Sequence, residues 1–351
     1  MQKKIIALAV AAAFSAPAFA DVTANGIVDG AIISASGAGQ KSDIIAYSGG
    51  LSTSRLSVTA TEGLDNGWTV IGNVEYGIDT QDNGSALTAR KKMLAVAGGF
   101  GTVATGYLQT TGYDMAVKFD PTSGSAVSPL QNVTKGGIFV MGTSAEGARG
   151  ERAVAYISPK IADSVTVAVN YSTSLVTALG GNNLGNLTQT TDTKHSAFLA
   201  SVNYEAGPVA IGGAYATVTA AGTEAAKEYM FGGSYDLGMA KLFGTYQSRA
   251  WNGGDTDKAY SFSAVAPVGS GAVVASYAAT KMQTASTNGS SLTLGYLQNL
   301  SKTVTAYAAY SNVSQDSATR AYSVAGGALA VASLDLGGSS NLFAVGLRKK
   351  F

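Results

Sequence analysis

The sequence predicts an all-β fold, a 16-stranded antiparallel transmembrane β-barrel, and three observations carry that expectation. First, the chain is apolar: 46% of its residues are hydrophobic and only 13% charged, about half the charge of a soluble domain. Yet beyond the first twenty residues no run approaches the ~18 consecutive apolar residues of a transmembrane helix. Second, the apolar residues alternate with small and polar ones at a period of two, which suits a strand with one face in lipid and one in water. Third, short turns alternate with long polar loops, as they do around a membrane barrel. In lipid every backbone polar group must be bonded internally, which leaves helices or closed barrels, and the alternation removes the helices.

In chain order, Val22–Ile33 sets Val22, Ala24, Val28 and Ile32 on one face and Thr23, Asn25 and Asp29 on the other. Ser54–Thr61 sends Leu56, Val58 and Ala60 outward and Arg55, Ser57 and Thr59 inward. Across the turn Leu64-Asp65-Asn66-Gly67, the next strand carries Trp68, Val70, Val74 and Tyr76 on one face and Thr69, Asn73, Glu75 and Asp79 on the other. Lys91–Ala97 then pairs with Thr102–Leu108, Glu151–Ser158 with Ser164–Ser172, and Lys194–Tyr204 with Val209–Val218. Further on come Glu228–Tyr235 with Ala240–Arg249, Ala259–Ala266 with Ala272–Thr280, and Leu292–Leu297 with Thr303–Ser311. A last strand, Asn341–Phe351, makes the count even and brings both termini to the short-turn side. Residues 34–53, 174–193 and 312–340 are among the long connections. Turn formers gather at the connections. All five prolines beyond residue 20 are expected outside strands, because proline cannot donate to a sheet ladder. A soluble β-sandwich is the competing architecture, and the low charge and long two-faced strands argue against it.

Residues 1–20 are expected to stand apart from the barrel domain, 21–351. Lys3 and Lys4 form a basic start, Ile5–Phe14 an apolar core and Ala18-Phe19-Ala20 a cleavage site, the pattern of a secretory signal peptide. The chain has no cysteine, so disulfides and Cys-based metal sites are excluded. With 23 basic against 22 acidic residues, it has no basic excess to hold nucleic acid. One stretch breaks the period. Gln109–Ala148 holds Pro121 and Pro129 and the scattered charges Asp114, Lys118, Asp120, Lys135 and Glu146. So long an unpatterned connection is usually functional.

Several short motifs spread over the chain resemble the general diffusion porins of Gram-negative bacteria, most nearly the β-proteobacterial type. They are Ser54-Arg55-Leu56, Thr61-Glu62-Gly63-Leu64-Asp65-Asn66-Gly67 and Phe100-Gly101-Thr102-Val103. Arg149 with Ala153-Val154-Ala155-Tyr156 and Ser158-Pro159, Asn299-Leu300-Ser301-Lys302, and the ending Val345–Phe351 belong to the same set. The resemblance implies a homotrimeric barrel in the outer membrane with an in-folded third extracellular loop, here Gln109–Ala148. It also implies contact with membrane lipid and lipopolysaccharide, and an insertion signal at Phe351 read by the outer-membrane assembly machinery. Phe343, Val345 and Leu347 would then face lipid, and Arg348 and Lys350 the interior.

A pore selects by diameter and by charges opposed across its narrowest point. The candidates are Asp114, Lys118, Asp120 and Lys135 on the loop, facing Arg55, Glu75 and Lys91 on the early strands and Arg149 at the head of the sixth. Arg90 and Arg152 fall on the outward phase and are expected at the extracellular rim. The loop's mixed charge, and Tyr107 where the resemblance leads one to expect a base, point to a size filter more than a charge filter. The expected function is passive diffusion of ions and small hydrophilic solutes, with no reaction, cofactor or metal. A surface adhesin or structural barrel, and a solute-specific channel, are the alternatives.

Enzyme signals are weak. His195 is the only histidine, and no G-x-S-x-G elbow precedes a helix. Gly99-Phe100-Gly101 with Ala104 joins two strands and opens no helix. Gly37–Ser42 misses the phosphate-loop spacing, and Asp255 and Asp257 read as solvated carboxylates in a turn.

Overall fold

The computed structural model describes residues 21–37, 40–41, 44–82, 87–134, 139–143, 148–175, 196–220, 223–251, 254, 256–283, 288–316 and 338–351. The predicted leader, Lys135, Glu146, His195 and Asp255 lie outside them.

The alternating segments fold as long strands because each can bury one face against lipid while its backbone pairs on both edges. They are β1 (Asp21–Gly37), β2 (Gln40–Lys41), β3 (Ile45–Ser48), β4 (Arg55–Gly63), β5 (Thr69–Gly77), β6 (Thr88–Gly98) and β7 (Gly101–Gln109). Then come β8 (Arg149–Ile157), β9 (Val165–Leu175), β10 (Ser196–Ala206), β11 (Val209–Ala220), β12 (Thr223–Asp236) and β13 (Lys241–Trp251). The last are β14 (Thr256–Val268), β15 (Gly271–Lys281), β16 (Gly289–Asn299), β17 (Val304–Gln315) and β18 (Ser339–Lys350). Every neighbouring pair is antiparallel, and β1 pairs with β18 from Ile27↔Lys350 to Gly37↔Ser340, which closes the ring. β2, β3 and β4 all pair with β1 and together make one broken stave, so the barrel has sixteen staves.

The outer face is a band of exposed apolar residues, including Ile32, Leu56, Val74, Phe231, Phe262, Leu294, Phe343 and Leu347. Ile32, Leu56, Val74, Phe343 and Leu347 have the predicted phase. The chain's last residue seals the seam: Phe351 N–H donates to Gly26 O at 3.1 Å and Gly26 N–H donates to Phe351 O at 2.9 Å. At the Leu64–Gly67 turn, Gly67 takes φ +78, a conformation that favours glycine. One expectation about proline fails. Pro267 lies inside β14, paired with Ala272 of β15, but its other edge is past the last β13 pair, Lys241↔Val265, so no ladder partner is lost.

The described residues of the long stretch between β7 and β8 include two short helices. Helix α1 (Thr111–Phe119) starts at Thr110, whose hydroxyl accepts Tyr113 N–H at 3.3 Å. Its buried face, Thr111, Gly112, Met115, Ala116 and Phe119, follows helical spacing and packs on the inner face of β10–β13. Phe119 is fully buried because Gly212 and Gly232 leave it room; a Cβ at Gly232 would lie 2.6 Å from Phe119 Cγ. Helix α2 (Pro129–Thr134) opens with proline after a Ser128 cap, whose hydroxyl accepts Gln131 N–H at 3.2 Å. It packs on the inner face of β14–β17, where Leu130, Val133 and Phe139 join Ala259, Ala278 and Val313 in a core. The barrel interior is therefore filled on one side and open on the other.

Candidate channel constriction

The open side of the lumen is bounded by the inner face of β4–β8 and by the lumen face of α1. Arg55 enters from the start of β4 and Glu75 from β5. Arg90 Nε donates to Glu75 Oε1 at 2.7 Å, and Arg55 Nε lies 3.8 Å from Glu75 Oε2. Arg149 Nε donates to the Arg90 carbonyl at 2.7 Å, and its guanidinium lies 5.0 Å from the Tyr113 ring centroid of α1. One terminal nitrogen of Arg149, Nη2, is buried and makes no hydrogen bond. Three guanidiniums are thus gathered around one carboxylate.

Arg90 corrects the expectation that placed it on the outward phase, at the extracellular rim. Glu75 pairs with Lys91 and Tyr76 with Ala89, so Arg90 is the extra residue of a β-bulge and its side chain turns inward. A hint was available in Ala89-Arg90-Lys91-Lys92. Strict alternation would have set both Arg90 and Lys92 on the outer face; the bulge turns Arg90 inward, while Lys92, paired with Val74, stays exposed there. Arg152 stays exposed, at a second bulge where Gly106 pairs with Ala153 and Leu108 with Gly150; its φ is +48.

Across from this wall, Asp114 points from α1 into the lumen and accepts a hydrogen bond from Gln109 Nε2. Lys91 and Asp114 line one cavity of about 160 Å³ with Gln109 and Thr111. Asp114 is open to lumen water yet surrounded by the barrel. That enclosure pushes its carboxyl above the ordinary range, against the pull of Gln109, Lys91 and Arg149. Above the arginines, Ser48, Thr53, Ser54, Asp79, Thr88 and Arg90 line a polar cavity of about 290 Å³.

Two loop residues behave differently from their sequence reading. Asp120 does not face the pore. It is 2% exposed, its Oδ1 accepts Thr122 N–H at 2.8 Å and Thr122 Oγ1–H at 2.6 Å, and its Oδ2 accepts Ser128 Oγ–H at 2.8 Å. A short carboxylate at a turn is satisfied by its own backbone, so Asp120 holds the turn between the helices. Burial pushes its carboxyl above the ordinary range while those hydrogen bonds pull it back. Lys118 pairs with Glu205 at 2.6 Å, at the short-turn end of β10, away from the arginines.

The far arm of the loop is held by residues the sequence did not single out. Glu228 of β12 is fully buried and accepts the N–H groups of Val140 and of Met141, the latter at 3.1 Å. Gln247 Nε2 donates to Glu228 at 3.0 Å and to the Met141 carbonyl at 2.8 Å. Arg249 is the register partner of both Glu228 and Asp257, and all three are buried. Asp257 is therefore no solvated turn residue; it sits in β14 and accepts Gln283 N–H at 2.8 Å. No group of three or more His, Asp or Glu among the described residues could hold a metal ion.

Comparison with known proteins agrees with this architecture. A family model described as Gram-negative porin matches residues 7–318. Among solved structures, the chain is similar to an anion-selective porin from Comamonas acidovorans, at 23% identity and TM-score 0.80, covering 95% of this chain and 100% of that one. It is also similar to OmpT of Vibrio cholerae in its trimer form, at 17% identity and TM-score 0.64, covering 95% and 100%. A mutant porin of Rhodopseudomonas blastica matches at 14% identity and TM-score 0.59, covering 94% and 100%. At these identities the structural likeness speaks to the fold. A comparison with curated proteins found no match by sequence.

Proposed function

The chain belongs to the Gram-negative porin family and forms a diffusion channel in the outer membrane, and from that premise we propose that its constriction prefers anions. The observation that carries this reading is the sharing of Glu75 by Arg55 and Arg90, with Arg149 held beside them on the Arg90 carbonyl. With Lys91 added, four cationic side chains face Glu75 and Asp114. The balance at the narrowest level is positive although the whole chain is nearly neutral. Fixed charges in a narrow, partly dehydrated passage act at short range and are poorly screened, so a local excess outweighs the net charge. The anion selectivity of the Comamonas acidovorans porin is in line with it.

In this reading Arg55, Arg90 and Arg149 form the anion-facing wall, Asp114 opposes them, and small hydrophilic anions cross without chemistry. The protein works as a homotrimer, as the trimer form of the Vibrio cholerae protein suggests. Membrane lipid and lipopolysaccharide surround it, and Phe351 serves as its insertion signal.

The test is the reversal potential of the purified channel in a planar bilayer under a salt gradient. Wild type should reverse on the anion side. Arg149→Gln should move it toward cations and Asp114→Asn further toward anions. A wild-type reversal at zero, or on the cation side, would overturn the anion reading. The raised Asp114 carboxyl adds a pH arm. Protonation above the usual carboxylate range removes the negative charge facing the arginines, so anion preference should grow on mild acidification, and the growth should vanish in Asp114→Asn.

A further inference from the structure

The stave made of β2, β3 and β4 is broken where the first long loop turns into the lumen. Gly30 pairs with Ser48 and Ile27 with Arg55, so the whole of Gly49–Ser54 lies opposite just Val28 and Asp29. The surplus backbone folds inward as a ledge. Its anchor is Asp29, fully buried on the inner face of β1. Asp29 Oδ2 accepts Leu51 N–H at 3.1 Å and Ser52 N–H at 2.8 Å, and Oδ1 accepts Tyr307 O–H at 2.6 Å. A buried carboxylate is tolerable only when its acceptor sites are filled in this way.

Both neighbours of the ledge are shaped to fit it. Tyr307 reaches Asp29 from β17 by passing over Gly346 of β18, where any Cβ would fall on its ring. Gly50 is pressed against the Tyr307 hydroxyl, and a Cβ there would also lie 2.8 Å from Ala31 Cβ. From its lumen side the ledge grips the constriction loop. The Gly50 carbonyl accepts Ala126 N–H at 3.1 Å, and Leu51 and Tyr47 pack on the core that holds Ala126, Val127 and Leu130. The tip of the loop is thereby held from the β1 side, while Glu228 holds its returning arm from the far side of the barrel.

We infer that the Gly49–Ser54 ledge is a second constriction element, which sets the pore's cross-section by fixing the tip of the loop. Asp29 and Tyr307 are its positioning residues and act without touching solute. The inference rests on the channel reading of the barrel and is independent of the charge preference. Asp29→Ala removes the acceptor of both ledge amides, and Tyr307→Phe removes one hydroxyl while keeping the ring over Gly346. In planar bilayers Asp29→Ala should raise single-channel conductance about twofold, since conductance follows the narrowest diameter, with a smaller rise for Tyr307→Phe. Larger neutral sugars should enter proteoliposomes faster through both. Asp29→Asn keeps an acceptor oxygen and should restore most of the wild-type behaviour. The reversal potential should move far less than in Arg149→Gln, which separates a change of aperture from a change of charge. Should Asp29→Ala fail to assemble, Tyr307→Phe decides by the same readouts. Folded channels with unchanged conductance and sugar entry would overturn the ledge, whereas a wild type without stable conductance would overturn the channel reading instead.

Discussion

Along β10–β17 the inner face of the barrel is mostly Ala, Ser, Thr and Gly, with Glu228, Gln247, Arg249 and Asp257 buried among them, and lies beneath the constriction loop; along β4–β8 it presents Arg55, Glu75, Arg90, Lys91 and Arg149 to water. Both sides have the same two-residue alternation and the same apolar outer face. What differs is what covers them. Under the loop the inner wall behaves as a protein core, with Phe119 set over Gly212 and Gly232 and hydroxyl pairs such as Ser263–Ser276, 2.7 Å apart, saturating one another. On the open side the charges stay because water, opposed charges and the lumen face of α1 satisfy them. The loop docks over small inward residues and over the buried Glu228, Gln247 and Arg249, whereas the charges left open to water line the passage.

Breaking the covered side should cost stability first and selectivity second. Phe119→Ala empties a fully buried aromatic site and should lower the stability of the loop-packed state by about 3–5 kcal/mol. Denaturant unfolding of the refolded barrel, followed by tryptophan fluorescence, would measure it. An unchanged midpoint would mean that the loop adds nothing to the covered wall. Glu228→Ala is next. It leaves the Val140 and Met141 amides without their acceptor, for a loss of about 1–3 kcal/mol and a noisier open channel. Quiet single-channel traces at wild-type stability would count against Glu228 as the hold on the returning arm. On the open side the order reverses: Arg149→Gln should move the reversal potential while costing only about 1 kcal/mol of stability, the worth of its hydrogen bond to the Arg90 carbonyl. The smallest effect belongs to Lys118→Gln. Its pair with Glu205 is largely solvated, so about 0–1 kcal/mol is at stake, and conductance should stay at the wild-type value.

Much of the fold is legible in the sequence. Strand phase is a local property, so Leu56, Val74, Phe343 and Leu347 could be set outward, and Arg55 and Glu75 inward, from alternation alone. The constriction was legible only in outline. Arg90 was missed because one bulged residue reverses the phase of everything beyond it, and nothing local forces the bulge. Asp120 was misread because a carboxylate in a loop looks the same whether it faces water or caps a turn. Tyr113, Glu228 and the Gly49–Ser54 ledge left no signal, since each matters through a partner far away in the chain.

By itself the amino-acid order determined that this chain crosses a membrane as a barrel, how many staves it has and which side of each strand meets lipid. Those follow from hydrophobic period and turn chemistry, which are set within a few residues. Only the tertiary structure decided which half of the inner face became core and which became pore. That choice depends on where one long loop lands, and the landing is fixed by contacts such as Phe119 on Gly232 and Ala126 on Gly50, between residues that no local pattern connects.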